Sequence, residues 1–305
     1  MSPFRSRASH TSRPRTRAAA ILGAAAAVAL LASACAPKSD STSTSAASGS
    51  ASASCSAASL ALYKSGQLTV ATDSPAYSPW FEDNKPSNGK GFESAVAYAV
   101  AKQLGFSTSQ VKWVTESFDN SYAPGTKNFD FDVNEISITP TRAKAVDFST
   151  GYYDVDQGVL TLSSSKYAGA TSLSALKGAK IGVQVSTTSY QAVVNEIKPS
   201  SSVAVYNTTD DEVNALKNGQ VDAVVTDMPT VFYLASAELD NGKIVGQFSY
   251  NGGGAAEQFG LLLQKGSKLT SCVNQALATL KSNGELTSIT KQWLSDAADA
   301  PELTQ

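Results

Sequence analysis

"DFDVNEISITPTRAKAVDFS", residues Asp130 to Ser149, reads as a strand that runs straight into a helix. Pro140 suits the first helical position, which puts Arg142 in the opening turn. A helix start presents free N–H groups and the positive end of the macrodipole, so it favours anions over cations. A local rule broken without compensation often marks a functional site. The expectation is that an anion sits against Arg142, with the Ser137 and Thr139 hydroxyls close by. The fixed fork of a guanidinium matches a carboxylate bidentately. An exposed arginine paired with a surface acid such as Asp147 would read the same way.

Outward from this stretch, strand and helix alternate. "GQLTVATDS" (Gly66 to Ser74) is a short apolar strand with a polar end. In "GFESAVAYAVAKQLGF", Phe92, Val96, Ala99, Val100 and Leu104 recur at helical spacing, and Gly105 is a natural stop. "QVKWVTES" is a second strand and "FDFDVNEISI" a third. After "GYYDVDQGVLTLSS" a similar set begins. "AKIGVQVSTTSYQAVVNEI" is strand, hydroxyl-rich turn and helix; "SVAVYN" is a strand; "DDEVNALKNGQ" is a helix ending at Gly219. "VDAVVTDMPTVFYLAS" repeats strand, turn and helix. "GLLLQKGS" is a strand, and "LTSCVNQALATLKSNG" with "LTSITKQWL" forms closing helices. The fold class is α/β, with mainly parallel sheets covered by helices. In such sheets ligands gather at the carboxyl ends of strands.

The chain has 305 residues, 42% hydrophobic and 16% charged, which suits one large or two medium domains. Its first part is an address. Arg5, Arg7, Arg13, Arg15 and Arg17 precede the apolar run Ala18 to Ala32, too short for a comfortable membrane span. Residues 1–34 are read as an export signal. "LASAC" resembles a bacterial lipobox with Cys35 as the lipidated residue, although the large apolar residue is displaced to Leu31. Ordinary cleavage near Ala34 is the alternative. Residues 35–59, rich in Ser and Ala, read as a flexible tether.

Loss of the signal removes five arginines and no acid, so the net charge moves from −2 to −7. An acidic chain without a basic run argues against nucleic acid as a partner. The single histidine, His10, lies in the signal. The mature chain therefore lacks the residue that Ser-His-Asp, Cys-His and His-metal sites require. No metal, cofactor or catalytic residue is expected. Export permits a disulfide between Cys55 and Cys272, with two separate thiols as the alternative.

Several residues could carry chemistry. Asp227 ends the strand "VDAVV" and could accept from an ammonium group, or merely cap the helix near Pro229. Ser186, Thr187, Thr188 and Ser189 could bind an anion, although capping needs only one hydroxyl. "TDSPAYSPWF" joins Asp73 to Tyr77, Trp80 and Phe81 on a Pro-rich loop; Phe118 comes from the next strand end. Aromatic faces around one carboxylate make a side-chain pocket, while core packing is the plainer use of any one ring. "NGGGAAEQFG" lacks the lysine and spacing of a phosphate loop and reads as a connector.

At these residues the chain resembles the solute-binding proteins of ABC importers, in the polar amino acid group (family 3). The resemblance runs from about Gly66 to Leu294. It rests on "LTVATDSPAYSPW", "GFESAVAYAVAKQLG", "ISITPTRAKAVDFSTGYY", "IGVQVSTTSY", "VDAVVTDMP" and "EQFGLLLQKGS" in that order. It implies a two-lobe periplasmic-binding-protein-like fold of type II with two hinge strands, near Tyr153–Gln157 and Gly254–Phe259. Lobe 1 would hold residues 60–153 and 258–305, and lobe 2 residues 154–257. Arg142, Ser137 and Thr188 would hold a ligand α-carboxylate and Asp227 its α-ammonium. Asp73, Tyr77, Trp80 and Phe118 would face the side chain. Glu135 stands where many relatives carry a small residue near the ammonium. Glu93 and Ser186 also depart from the family pattern, and the connection "SFDNSYAPGTKNFDFD" is longer than usual.

The implied function is capture of a free polar amino acid outside the cytoplasmic membrane. Delivery to an ABC permease follows, by a lipid-anchored protein expected to be a monomer. Cystine and opines are alternative ligands. A cyclohexadienyl dehydratase-like enzyme on the same fold would use Glu135 and Asp73 as acid and base. A sensory receptor usually comes fused to a transmembrane signalling module, and none is read here. Two acids near the ligand, Asp73 and Glu135, tilt the specificity toward cationic or amide side chains.

Overall fold

The computed structural model describes residues 55–252, 254–294 and 300–305. The export signal, Cys35 and the stretch up to residue 54 lie outside the described residues.

In order, the first half contains β1 (Leu68–Thr72), α1 (Phe92–Gln103), β2 (Val111–Thr115), the single turn α2 (Phe118–Ser121), β3 (Phe131–Asp132), β4 (Val146–Phe148) and β5 (Tyr153–Asp154). Then come β6 (Gln157–Leu162), β7 (Ile181–Gln184), α3 (Thr188–Ala192), β8 (Ala204–Tyr206), α4 (Thr209–Lys217), β9 (Ala223–Asp227), α5 (Met228–Tyr233) and β10 (Gly242–Phe248). The chain ends with β11 (Gln258–Phe259), β12 (Leu262–Gln264), α6 (Thr270–Ser282) and α7 (Glu285–Leu294).

These elements form two five-stranded sheets, ordered β2-β1-β3-β12-β4 and β10-β6-β9-β7-β8. In the first, β1, β2 and β3 pair in parallel and the late strand β12 inserts antiparallel between β3 and β4; in the second, β7, β8 and β9 pair in parallel and β6 lies antiparallel between β9 and β10. The central strand β1 is buried along its whole length, as strands covered on both faces are. Against it pack Phe92, Val96 and Val100 of α1 and Val273 and Leu277 of α6. Gly91 opens α1 at φ 94; a Cβ there would lie 2.4 Å from the Trp80 carbonyl oxygen, so only glycine lets α1 start so close to that loop.

Between the sheets, β5 and β11 pair antiparallel, Tyr153 opposite Phe259 and Asp154 opposite Gln258. Trp80, Phe92, Tyr153 and Phe259 meet edge to face around this ladder, with centroids 5.3–5.9 Å apart. The ladder thus rises from an aromatic core of the first lobe.

Three features differ from the sequence reading. The strand and helix expected across residues 130–149 are both cut short: β3 is two residues, and Arg142–Lys144 is one 3₁₀ turn. Glu135 takes the left-handed conformation (φ 51), which breaks the parallel ladder. Beyond it, Ile138 N–H donates to the Gln258 carbonyl at 2.8 Å and Gly260 N–H to Ile136 at 3.0 Å. The segment therefore leaves its sheet to pair with the chain around β11. Second, the fold begins before residue 60. Cys55 is joined to Cys272 of α6 by a disulfide, and Ala57, Leu60 and Leu62 pack on the first core. Third, the last residues belong to the second lobe. Glu302 pairs with Gln247 of β10, Thr304 pairs with Ser172, and Leu303 is buried there. Gly246 makes room, since a Cβ would lie 2.5 Å from the Pro301 oxygen. Six residues without periodicity carried no sign of this.

Candidate functional site

Asp227, Ser137 and Thr188 stand at the ends of different elements and converge between the lobes. The first lobe contributes Asp73, Tyr77, Phe118, Glu135 and Ser137 to a cavity of about 60 Å³. The second adds Thr187, Thr188, Asp227 and Thr230. The lobes touch directly across it. Ser137 Oγ lies 3.3 Å from Thr188 Oγ1, and Arg142 Nη2 donates to the Ser186 carbonyl at 3.0 Å. The Trp80 indole N–H donates to Thr230 Oγ1 at 2.7 Å, and that hydroxyl donates to Glu135 Oε2 at 3.0 Å.

Arg142 is buried, with 7% of its surface exposed. Its guanidinium lies 5.2 Å from the Phe118 ring centroid and 4.7 Å from that of Tyr122. Nη1 donates to the Ser137 carbonyl at 2.9 Å. Burial pulls its pKa down, while Tyr122, Glu257 and Asp227 pull it up; a guanidinium stays charged through such shifts. Asp147 is not its partner, because that acid pairs with Lys265 at 3.0 Å. Among the described residues no carboxylate reaches ion-pair distance of Arg142. Main-chain carbonyls and ring faces hold the cation, and its charge is left for an anion to neutralise. The helix terminus expected beside it is missing, so the anion would be met by the side chain. Arg142 lines a neighbouring cavity of 840 Å³, and Thr187 and Thr188 form the wall common to both.

Asp227 opens α5 but makes no capping hydrogen bond. Its Oδ1 instead accepts from Gln157 Nε2 at 2.8 Å. Burial raises its pKa well above the ordinary value, Glu257 adds to this, and Gln157 and Arg142 oppose it. Glu135 is raised well above its ordinary value by burial, then by Glu93 and Asp227. Glu93, beneath the cleft, is pushed up to about 7 by burial, against the opposing bonds from Tyr152 and the Glu135 N–H. Asp73 is raised by burial while the Ser74 and Phe118 N–H groups pull it back. The cleft thus gathers carboxyl groups whose charged forms desolvation disfavours.

Trp80 takes the plainer role. It is fully buried in the aromatic core and outside the cavity wall. Tyr77 does line the cavity and packs on Tyr233 of the opposite lobe, centroids 6.5 Å apart. Sequence reasoning missed Tyr122, Gln157, Thr230 and Glu257. Glu257 and Thr230 lie inside the motifs "EQFG" and "TDMPT", whose flanking residues drew the attention. Gln157 and Tyr122 carry no local signature.

Two α/β lobes joined by paired strands, with charged groups of both lobes meeting between them, define a hinged solute-binding protein. The chain matches the bacterial extracellular solute-binding proteins, family 3, over residues 68–296, and it belongs to that family. It is 31% identical over 218 residues to the ABC transporter glutamine-binding protein GlnH of Bacillus subtilis, covering 69% of this chain and 76% of that one. The arginine-binding extracellular protein ArtP of the same organism is 30% identical over 224 residues, covering 72% and 83%. A solved ancestral arginine-binding protein bound to glutamine is 30% identical with a TM-score of 0.62, covering 75% of this chain and 98% of that one.

Proposed function

We propose that this protein captures an amino acid with a cationic side chain outside the cytoplasmic membrane and delivers it to an ABC permease. The observation that carries the reading is the charge of the cleft. Asp73, Glu135 and Asp227 line one cavity, and among the described residues the buried cation beside it, Arg142, has no carboxylate at ion-pair distance. A zwitterion with one further positive charge answers both facts. Its carboxylate meets Arg142, its α-ammonium meets Asp227, and its side-chain cation meets Asp73 and Glu135, between the faces of Tyr77 and Phe118. Opposite charges in a water-excluded cleft attract more strongly than in water. The protein acts as a carrier, not a catalyst.

Calorimetry with arginine, lysine, glutamine, glutamate and cystine tests this. A cationic ligand is expected to bind at least about a hundredfold more tightly than glutamate, the equivalent of ~3 kcal/mol. Asp227→Asn is expected to weaken binding at least about tenfold. Tightest binding of glutamate would overturn the specificity. Chemical change of a cyclic acid during incubation would favour the dehydratase reading, in which Glu135 and Asp73 serve as acid and base.

The order of signal, Cys35 and Ser/Ala-rich stretch supports export and lipid anchoring at the outer face of the membrane. Labelling with radioactive palmitate is expected in the native chain and lost in Cys35→Ser. Light scattering is expected to give a monomer.

A further inference from the structure

We infer that Gln157 and Glu257, one beside each strand that joins the lobes, form a bracket that positions the ligand-facing groups of both lobes. This rests on the amino acid-binding reading for its purpose, but not for its geometry. Ser137 of the first lobe donates to Glu257 Oε1 at 2.6 Å. Gln157 Nε2 donates to Glu257 Oε2 at 3.1 Å and to Asp227 Oδ1 of the second lobe at 2.8 Å. The chain of bonds Ser137–Glu257–Gln157–Asp227 therefore runs from one lobe to the other through the side chains of both crossings. The backbone reinforces it, since Val155 N–H donates to the Glu257 carbonyl at 3.1 Å.

An amide is the residue type this position needs. Its nitrogen gives one proton to each of two acids, which a carboxylate could not do. Turned the other way, the amide would aim its carbonyl at both. Gln157 is fully buried, and its Oε1 has no hydrogen-bond partner among the described residues. The two acids therefore set its orientation at the cost of its own acceptor, a cost that buried polar groups rarely bear without a reason.

The end bonds follow backbone pairing, Gln157 opposite Asp227 and Ser137 opposite Phe259, so the single bond from Gln157 to Glu257 is the one that closure makes and opening breaks. Ser137 and Asp227 are the groups that would meet a ligand, whereas Gln157 and Glu257 act through them as positioning residues. Hinge angle and ligand geometry are thereby one variable: opening the lobes breaks the bracket and releases both groups from register.

Two variants test this. In Glu257→Gln one of the two accepting oxygens becomes an NH2, which cannot accept from the donor that faced it. Arginine affinity is expected to fall at least about tenfold. Ser137→Ala, costly in the native background, is expected to cost less than about twofold in Glu257→Gln, because coupled residues are non-additive. Fluorophores on Lys112→Cys and Asp211→Cys, both exposed positions, report the lobe distance without ligand, and Glu257→Gln is expected to lengthen it. Gln157→Glu adds a third acid and is expected to open the lobes near pH 8 and reclose them near pH 5, a response that loss of packing would not give. Additive Ser137→Ala and Glu257→Gln effects with an unchanged lobe distance would overturn the bracket. If the native protein binds no amino acid but Glu257→Gln still opens the lobes, the bracket stands and the functional reading falls.

Discussion

Thr230→Val removes one hydroxyl from the contact between the lobes and keeps the shape of the side chain. That hydroxyl accepts from the Trp80 indole at 2.7 Å and donates to Glu135 at 3.0 Å, and Thr230 is 3% exposed. The change strands a buried indole N–H, which costs about 1–3 kcal/mol, and removes a bond to a carboxyl group of ~1 kcal/mol or more. Both losses fall on the closed form, since Trp80 and Glu135 belong to one lobe and Thr230 to the other, and opening lets water reach all three. Closure is then disfavoured by roughly 2–4 kcal/mol, and apparent affinity falls by about 30- to 900-fold through the smaller closed population. Titration calorimetry of Thr230→Val with arginine measures this directly. Thr230→Ser, which keeps the hydroxyl, serves as the control and is expected to stay within about threefold of the native protein. A Thr230→Val affinity within about twofold of native would show that this contact does not couple to closure, and the reasoning would fail.

Other outcomes follow from the same contacts. A cationic ligand favours the charged forms of Glu135 and Asp227, whose pKa values burial raises in the cleft. Binding should therefore release protons, affinity should strengthen as pH rises, and the calorimetric enthalpy should vary with the ionisation heat of the buffer; buffer-independent enthalpy would refute this. Glu93 has a folded pKa of about 7 against an ordinary 4.5. Its contribution to stability is complete below the lower value and is lost as pH climbs through the upper one. The native melting temperature should decline from about pH 5 to pH 8, and Glu93→Gln, whose carbonyl can take both hydrogen bonds, should flatten the decline. Cys272→Ser opens a covalent loop that spans 217 residues. It should cost about 2–4 kcal/mol of stability, read by denaturant unfolding, with arginine affinity little changed.

The parts of the fold legible in the sequence are those whose burial follows a period. The strand Leu68–Thr72, the helix Phe92–Gln103 and the helices from Thr270 to Leu294 read correctly because their apolar residues repeat with the element. The stretch around Arg142 misled for a tertiary reason. One left-handed residue, Glu135, turns the chain out of its sheet, and pairing with residues more than a hundred positions away takes over. Convergence of Asp73, Glu135, Ser137, Thr188 and Asp227 was legible because each follows a strand end in an α/β pattern. Trp80 misled because a ring near a Pro-rich loop looks the same whether it faces a ligand or a core. Gln157 and Glu257 fall within the crossings expected from the sequence, but their chemistry could not be read there, since it arises from a contact across 100 positions.

The residues Ala300–Gln305 leave one further consequence. The chain crosses between the lobes at β5 and again at β11, then leaves α7 in the first lobe and is stitched to β10 in the second. The described end of the chain therefore adds a contact to the second lobe beyond the two crossings. A reporter or affinity handle fused after Gln305 would hang from the second lobe, and cutting the chain ahead of Ala300 would strip Leu303 from that lobe's core.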